Sequence, residues 1–409
     1  MQSGTKWSDH RELPSAGTHR RHSAANCHKS FFKEANMKKI TAVLLSALML
    51  CSVPACSSGG AKESSAENVS SASQSSDGSI TDTDLIADQS SDESEPVNIQ
   101  RSFEETLVKY NFKGTAYAEK DGKVIASYAD GKTDTGTEYT VDMPIPTGSV
   151  SKQFCSAAIF LLQEKGKLSI DDTLDKYYPE YKEAKNIRLK NILAMRSGIP
   201  EMDMTIASAD KTDEENIALI EKDVFSKPLD FKPDTAFGYS NFSYLLLAEI
   251  VEKVSGEKYM DFLRSNFFDP LGMKNTGSFE EMAAGADWAK GVKYDIRDLV
   301  FVNTKGCGDL LSTGADISLW LYGLSSGKVI SKESYEAITT DHNPGEGYGY
   351  GIRPDFFGGV GHTGQIGSYY SVDYLRESEG LTLFYSCSSM KSPAEITPLT
   401  SELTSLLRE

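Results

Sequence analysis

A serine and a lysine three residues apart meet on one face when a helix sets them one turn apart. The stretch Pro146-Thr147-Gly148-Ser149-Val150-Ser151-Lys152 offers such a pair, and the apolar run Phe154-Cys155-Ser156-Ala157-Ala158-Ile159-Phe160-Leu161-Leu162 follows it. A serine hydroxyl is a weak nucleophile until a base comes within hydrogen-bond reach. Lysine serves as that base when burial or a neighbouring cation lowers its pKa. The chemistry on offer is attack on a carbonyl carbon. Spacing alone does not select the pair, because Ser-x-x-Lys also begins at Ser3, Ser30, Ser208, Ser255, Ser325 and Ser388. Two other stretches carry polar groups beside apolar or strand-rich segments: Phe237-Gly238-Tyr239-Ser240-Asn241 and Gly361-His362-Thr363-Gly364.

Such groups need a frame. Pro144 and Pro146 favour extended backbone before the serine, and the helix expected next can end at Gly166. Upstream, 103–110 reads as a helix. Residues 114–118 and 123–128 flank Asp121-Gly122, a two-residue hairpin signal. The pattern then turns mostly helical to about residue 285, with helices expected at 187–195, 214–224, 244–254 and 259–267. Helices at 312–324 and 332–339, strands at 348–353, 369–374 and 381–386, and a last helix at 395–407 complete the chain. Strands at both ends with helices between them suggest one sheet assembled from both termini, with an inserted helical lobe.

The chain has 409 residues, 39% of them hydrophobic and 25% charged, and a formal charge of −17. That charge argues against nucleic acid or an anionic membrane surface as an electrostatic partner. No Cys-x-x-Cys occurs, and only His342 and His362 lie beyond residue 28, so a thiolate- or histidine-rich metal site is not expected and no cofactor is implied.

Residues 1–36 show no hydrophobic period. Met37-Lys38-Lys39 begins a basic segment followed by the apolar run Ile40–Leu50, too short to span a membrane and laid out as a secretory signal. The signal, 37–55, ends Val53-Pro54-Ala55-Cys56 and resembles a bacterial lipoprotein signal, with Cys56 as the lipid-bearing residue. Met37 is then the expected start and 1–36 an upstream extension. Residues 57–98 hold 13 serines and nine acidic residues against one lysine, a composition that cannot repay its ordering entropy. They read as a disordered tether between an anchor and a folded domain at 99–409.

The three polar stretches, in this order, resemble the active-site elements of the serine β-lactamase and penicillin-binding family, in its class C and D-Ala-D-Ala carboxypeptidase-like branch. The resemblance extends through Gly166–Asp172, Ile192–Pro200, Asp269–Met273 and Gly308–Thr313 and covers 103–408. It implies an α+β fold with a central antiparallel sheet flanked by helices. It also implies that Ser149 forms an acyl-enzyme, that Lys152 and Tyr239 handle the proton, and that Asn241 orients the substrate amide and Lys152. His362, Thr363, Gly364 and Gln365 would hold substrate, with the backbone N–H groups of Ser149 and Gln365 as the oxyanion donors. Whether Lys152 or Tyr239 is the base stays open at this level. The third motif begins with His362, where the best-known β-lactamases have lysine; a neutral imidazole is the weaker anchor for a carboxylate.

Each residue also has a plainer reading. Tyr239 alone would be a core phenol, Asn241 the N-cap of the next helix, His362 structural, and Lys152 a snorkelling surface lysine. Cys155 is expected as a buried free thiol; a Cys307–Cys387 pair is disfavoured. His342 reads as a loop residue, and Tyr348, Tyr350, Tyr369 and Tyr370 as packing. The function expected is a cell-surface serine hydrolase acting on D-amino-acid peptides, β-lactams or small esters, membrane-anchored through its lipid, with a monomer favoured. The alternative is a non-catalytic module that binds or senses wall peptides or penicillin.

Overall fold

Asp121 and Gly122 both adopt left-handed backbone, with φ of 51° and 73°. This is the geometry a two-residue hairpin needs to match the strand twist. It joins β1 (Gly114–Lys120) to β2 (Lys123–Asp130). Across its other edge β1 pairs with β9 (Leu381–Cys387), Gly114 opposite Cys387, so the sheet is closed by the two ends of the domain. With β6 (Arg353–Phe356), β7 (Gly359–Ile366) and β8 (Tyr369–Arg376) it forms a six-stranded antiparallel sheet in the order β2-β1-β9-β8-β7-β6. The computed structural model describes residues 98–295, 299–390 and 392–408. The expected extension, signal, Cys56 and tether up to residue 97 lie outside them. Among the described residues no helix is long and apolar enough to cross a membrane.

Side chains alternate across each strand, so each face needs its own cover. Helices α1 (Ile99–Lys109) and α7 (Pro393–Leu406) cover one face, where Phe103, Leu107, Leu399 and Leu403 pack on Val372, Leu383 and Tyr385. The other face joins the larger core, in which Phe384 and Leu375 share a cluster with α2 (Ser151–Glu164) and α5 (Gly314–Ser325). Eleven of the fourteen α2 residues are buried. A helix apolar nearly all round belongs inside rather than on a surface. Phe154 of α2 stacks on Trp320 of α5 at 3.8 Å between ring centroids. The helical lobe includes α3 (Asp213–Phe225) and α4 (Asn241–Ser255), and α6 (Lys332–Thr339) follows α5.

A second, three-stranded sheet holds the start of α2. Here β3 (Ile145–Pro146) and β4 (Gly277–Ser278) flank β5 (Leu310–Ser312). Ser312 is thus a strand residue, and the helix expected from 312 begins at Gly314 behind the cap Thr313.

Other boundaries differ from expectation for identifiable reasons. The strand expected at 348–353 is irregular until Arg353. Gly351 turns there with φ 76°, and a Cβ on it would stand 2.7 Å from the Lys152 carbonyl, so the backbone runs against α2 rather than along the sheet. Strand β7 is not among the expected strands, because Gly359, Gly361 and Gly364 weaken its β signal. Those glycines are packing requirements: a Cβ at Gly361 would lie 2.2 Å from the Asp373 carbonyl and one at Gly364 2.0 Å from the Thr147 carbonyl. The helix at 187–195 is confined to Leu189–Leu193, and that at 259–267 is α-helical only over Tyr259–Leu263 before widening into a π turn at Arg264–Phe268. Cys155, Cys307 and Cys387 are buried free thiols.

Candidate active site

Three hydrogen bonds fix the Lys152 side chain. Its Nζ donates to Ser149 Oγ at 3.0 Å, to Asn241 Oδ1 at 2.8 Å and to the Cys307 carbonyl at 2.8 Å. The two carbonyl oxygens can only accept, whereas the Ser149 hydroxyl can accept or donate, so this geometry suits both an ammonium and a neutral amine that receives the serine proton. The residue is fully buried, not a snorkelling surface lysine. Burial is the largest influence and pulls its pKa down, but Tyr239, Cys307 and Glu201 act the other way and the net shift is upward. Of these, Cys307 supplies no charge at neutral pH, because burial pushes its thiol up to about 12.

The partners come from separate elements. Ser149 sits in a 3-10 turn, Gly148–Val150, that leads into α2. Gly148 is left-handed there, with φ 50°. Asn241 is the first residue of α4, not its cap: Ser240 caps, accepting the Ser243 N–H at 3.2 Å. The Asn241 side chain is therefore free to reach Lys152. Glu201 accepts the N–H groups of Asn241 and Phe242 at 2.5 and 3.1 Å, placing a carboxylate on the positive end of α4. The Cys307 carbonyl arrives from the turn before β5. Tyr239 precedes α4, is 37% exposed, and has its ring centroid 4.8 Å from Lys152 Nζ.

Strand β7 forms the opposite wall. A Cβ on Gly148 would lie 2.6 Å from the Gln365 nitrogen, and one on Gly364 would lie 3.0 Å from the Ser149 nitrogen. The serine turn and β7 are thus in backbone contact. Thr363 and Gln365 are exposed, whereas His362 is buried. The His362 Nδ1 faces the Thr363 carbonyl, which can only accept, so Nδ1 carries the proton; Nε2 is 3.3 Å from Tyr348 Oη. Burial, with Arg353 and Lys152 beside it, lowers the His362 pKa to about 3. The imidazole is neutral, with both nitrogens engaged.

Ser149, Tyr239, His362, Thr363, Gly364 and Gln365 line one cavity of about 240 Å³, with Tyr370 and Ile396 on its apolar side. A larger cavity of about 620 Å³, lined by Glu249, Glu252 and Lys305 among others, includes none of these residues; Lys305 there is consumed by the two glutamates at 2.7 Å each. The smaller cavity is the one beside the nucleophile candidate.

Sequence reasoning missed three contributors. Arg353 lines the small cavity, and its guanidinium donates to the Glu346 and Gly347 carbonyls at 3.2 and 3.5 Å. Its charge therefore meets neutral oxygens in those bonds. The Cys307 carbonyl is a backbone group with no side-chain signature. Glu201 follows Gly198-Ile199-Pro200 and could have been flagged as an acid near a helix start. The remaining named residue, His342, stacks on Tyr350 at 3.8 Å.

A serine hydroxyl beside a buried lysine, at the head of a helix packed on an antiparallel sheet, is an arrangement that can activate the serine as a nucleophile. The chain belongs to the beta-lactamase family, whose model, described as Beta-lactamase, matches residues 99–401. It is 28% identical over 280 residues to PbpX, a protein of Bacillus subtilis (strain 168) named for penicillin binding, covering 65% of this chain and 68% of that one. It is 23% identical over 292 residues to the teichoic acid D-alanine hydrolase of Staphylococcus aureus (strain MRSA252), covering 66% and 72%. Among solved structures, D-amino acid amidase from Ochrobactrum anthropi SV3 superposes with a TM-score of 0.64 at 20% identity, covering 76% of this chain and 98% of that one, which is a likeness of fold.

Proposed function

We propose that the protein is an extracytoplasmic serine hydrolase that transfers the acyl group of D-amino-acid peptides, amides or esters to Ser149 and then to water. One observation carries this reading: Ser149 Oγ stands 3.0 Å from the buried Lys152 Nζ and opens into a cavity that also holds Tyr239, Gln365 and Arg353. Ser149 Oγ attacks the substrate carbonyl carbon. Lys152 and Tyr239 share the proton handling: whichever is deprotonated, the amine or the phenolate, takes the serine proton and returns it to the leaving nitrogen or oxygen as that bond breaks. The oxyanion falls between the Ser149 and Gln365 N–H groups; removing one such donor typically costs about 100-fold or more in rate. Water then releases the acid by the reverse sequence.

Arg353, rather than His362, supplies the positive charge for a terminal substrate carboxylate, since His362 is neutral. Relatives named for penicillin binding and for teichoic acid D-alanine hydrolysis support a D-amino-acid substrate and an envelope location. Anchoring through Cys56 fits that location.

The test is labelling with a fluorescent penicillin and, separately, a fluorophosphonate, in the wild type and in Ser149→Ala. Covalent labelling lost in Ser149→Ala is expected. Labelling by neither probe would sink the acyl-enzyme reading and favour a binding module; labelling that survives the substitution would move the nucleophile. A panel of D-Ala-D-Ala peptides, D-alanine amide, nitrocefin and short-chain esters then ranks the substrates. Membrane fractionation of Cys56→Ala cells tests the anchor.

A further inference from the structure

Asp373 lies at the centre of β8, fully buried, opposite His362 in the β7 register. Its Oδ1 accepts the His362 backbone N–H at 2.7 Å, and its Oδ2 accepts Gln153 Nε2 at 2.7 Å. Gln153 follows Lys152 on α2, and its Oε1 accepts Trp320 Nε1 at 3.1 Å. An indole N–H can only donate. It therefore fixes which end of the Gln153 amide faces Asp373: the NH2 end. The His362 N–H is likewise a donor. Both oxygens of residue 373 thus face donors, the arrangement that an unprotonated carboxylate accepts most fully. Among the described residues no lysine or arginine forms an ion pair with it.

Burial of an unpaired carboxylate is costly. It pushes the Asp373 carboxyl up to about 7 against the pull of its two donors. An amide-free apolar pair would fill the same space at less cost, so this arrangement calls for an explanation beyond packing. Its position supplies one. Two residues before it on the same face of β8, Ser371 Oγ donates to the Thr147 carbonyl at 2.5 Å, at the entrance to the serine turn. Asp373 makes the corresponding tie two residues further on, from α2 to the backbone of β7.

We propose that Asp373 is a positioning residue that sets the spacing between the Ser149–Lys152 helix and the β7 backbone carrying Thr363 and Gln365. It touches no substrate. It acts by holding one donor from α2, through Gln153, and one from β7, at His362, on a single rigid carboxylate. This rests on the acyl-enzyme reading only for its effect on rate; the tie itself is a statement about α2 and β7.

The donor–acceptor pattern gives a test that packing alone does not. In Asp373→Asn, one donor must face another donor. In Gln153→Glu, two carboxylates face each other. In the double variant Asp373→Asn/Gln153→Glu the pattern is whole again. The carboxylate introduced at position 153 accepts from Trp320 and from the NH2 introduced at position 373, and the amide oxygen at position 373 accepts the His362 N–H. In the full chain, each single variant is expected to lose about 10- to 100-fold in acylation rate by fluorescent penicillin, with half-saturating probe concentration little changed, and the double variant to regain most of it. Amide hydrogen exchange at His362–Gln365 is read in parallel, independent of any activity: faster in each single variant, restored in the double. Wild-type exchange in Asp373→Asn, or a double variant no better than the singles, overturns the proposal. If Asp373→Asn does not fold, a folded double variant supports it and an unfolded one overturns it. Failure of the wild type to acylate would count against the hydrolase reading, while the exchange result would still decide the role of Asp373.

Discussion

Gly148 packs so closely on Gln365 that a Cβ on Gly148 would stand 2.6 Å from the Gln365 nitrogen. The glycine also holds φ at 50°, in the left-handed region. Gly148→Ala is therefore expected to push β7 away from the serine turn and separate the two oxyanion donors. The strain costs about 1–2 kcal/mol of stability. The acylation rate should fall by about 100-fold or more, a larger effect than the stability change implies. Stopped-flow acylation beside thermal unfolding checks this; parallel losses would refute it.

Lys152 donates to three neutral acceptors and is fully buried. Replacing it with an apolar side chain of similar length removes a buried charge but leaves the Asn241 and Cys307 carbonyl oxygens without that donor, at about 1–3 kcal/mol for a buried acceptor left unsatisfied. Lys152→Met should abolish most labelling, by about 100-fold or more, and lower the unfolding midpoint. An unchanged midpoint would show that the cost of burying the lysine offsets its hydrogen bonds.

Arg353 should matter only for substrates that end in a carboxylate. For Arg353→Leu, kcat/KM on a D-Ala-D-Ala peptide is expected to fall by about 10-fold or more, the loss of one charge-assisted hydrogen bond of ~1.5–3 kcal/mol. Activity on a neutral ester or amide should change little. Equal losses on both substrates would rule out the carboxylate role.

His362 titrates at about 3 in the folded protein against a reference of 6.5. Between those values the unfolded chain binds the proton and the folded chain does not. Its contribution to stability is therefore fully present above about 6.5 and is lost as pH falls toward 3, with a slope of about 1.4 kcal/mol per pH unit. Asp373, raised to about 7, has the opposite sign: its contribution weakens as pH rises from its reference of 3.8 toward 7. Denaturant unfolding from pH 4 to 7, with His362→Asn subtracted from the wild type, isolates the first slope. A flat difference curve would mean that His362 is protonated in the folded state.

The legible parts of the sequence are those set by local chemistry. Asp121-Gly122 dictates its hairpin because two left-handed residues in a row have few other uses. The run after Lys152 dictates a buried helix because it is apolar on every side. The order of the three polar stretches marks the family, and with it the α+β layout. Asn241 reads as a cap in the sequence because Asn and Ser both cap helices and stand side by side here; the structure gives the cap to Ser240 and leaves Asn241 to Lys152. Strand β7 escapes a sequence reading because its glycines answer to neighbours distant in sequence, at Thr147 and Asp373.

What the sequence determined by itself is the nucleophile candidate, its lysine, and the frame of helices and strands that holds them. The tertiary structure decided the rest. It showed Lys152 buried against Ser149, Asn241 and the Cys307 carbonyl, His362 as a buried neutral ring, and Arg353 lining the cavity. These are properties of environment, not of residue type. A side chain's charge depends on its burial and on the acceptors around it. Asn241 and the Cys307 carbonyl reach Lys152 from α4 and from the turn before β5, elements distant in sequence that meet it only when they pack against α2.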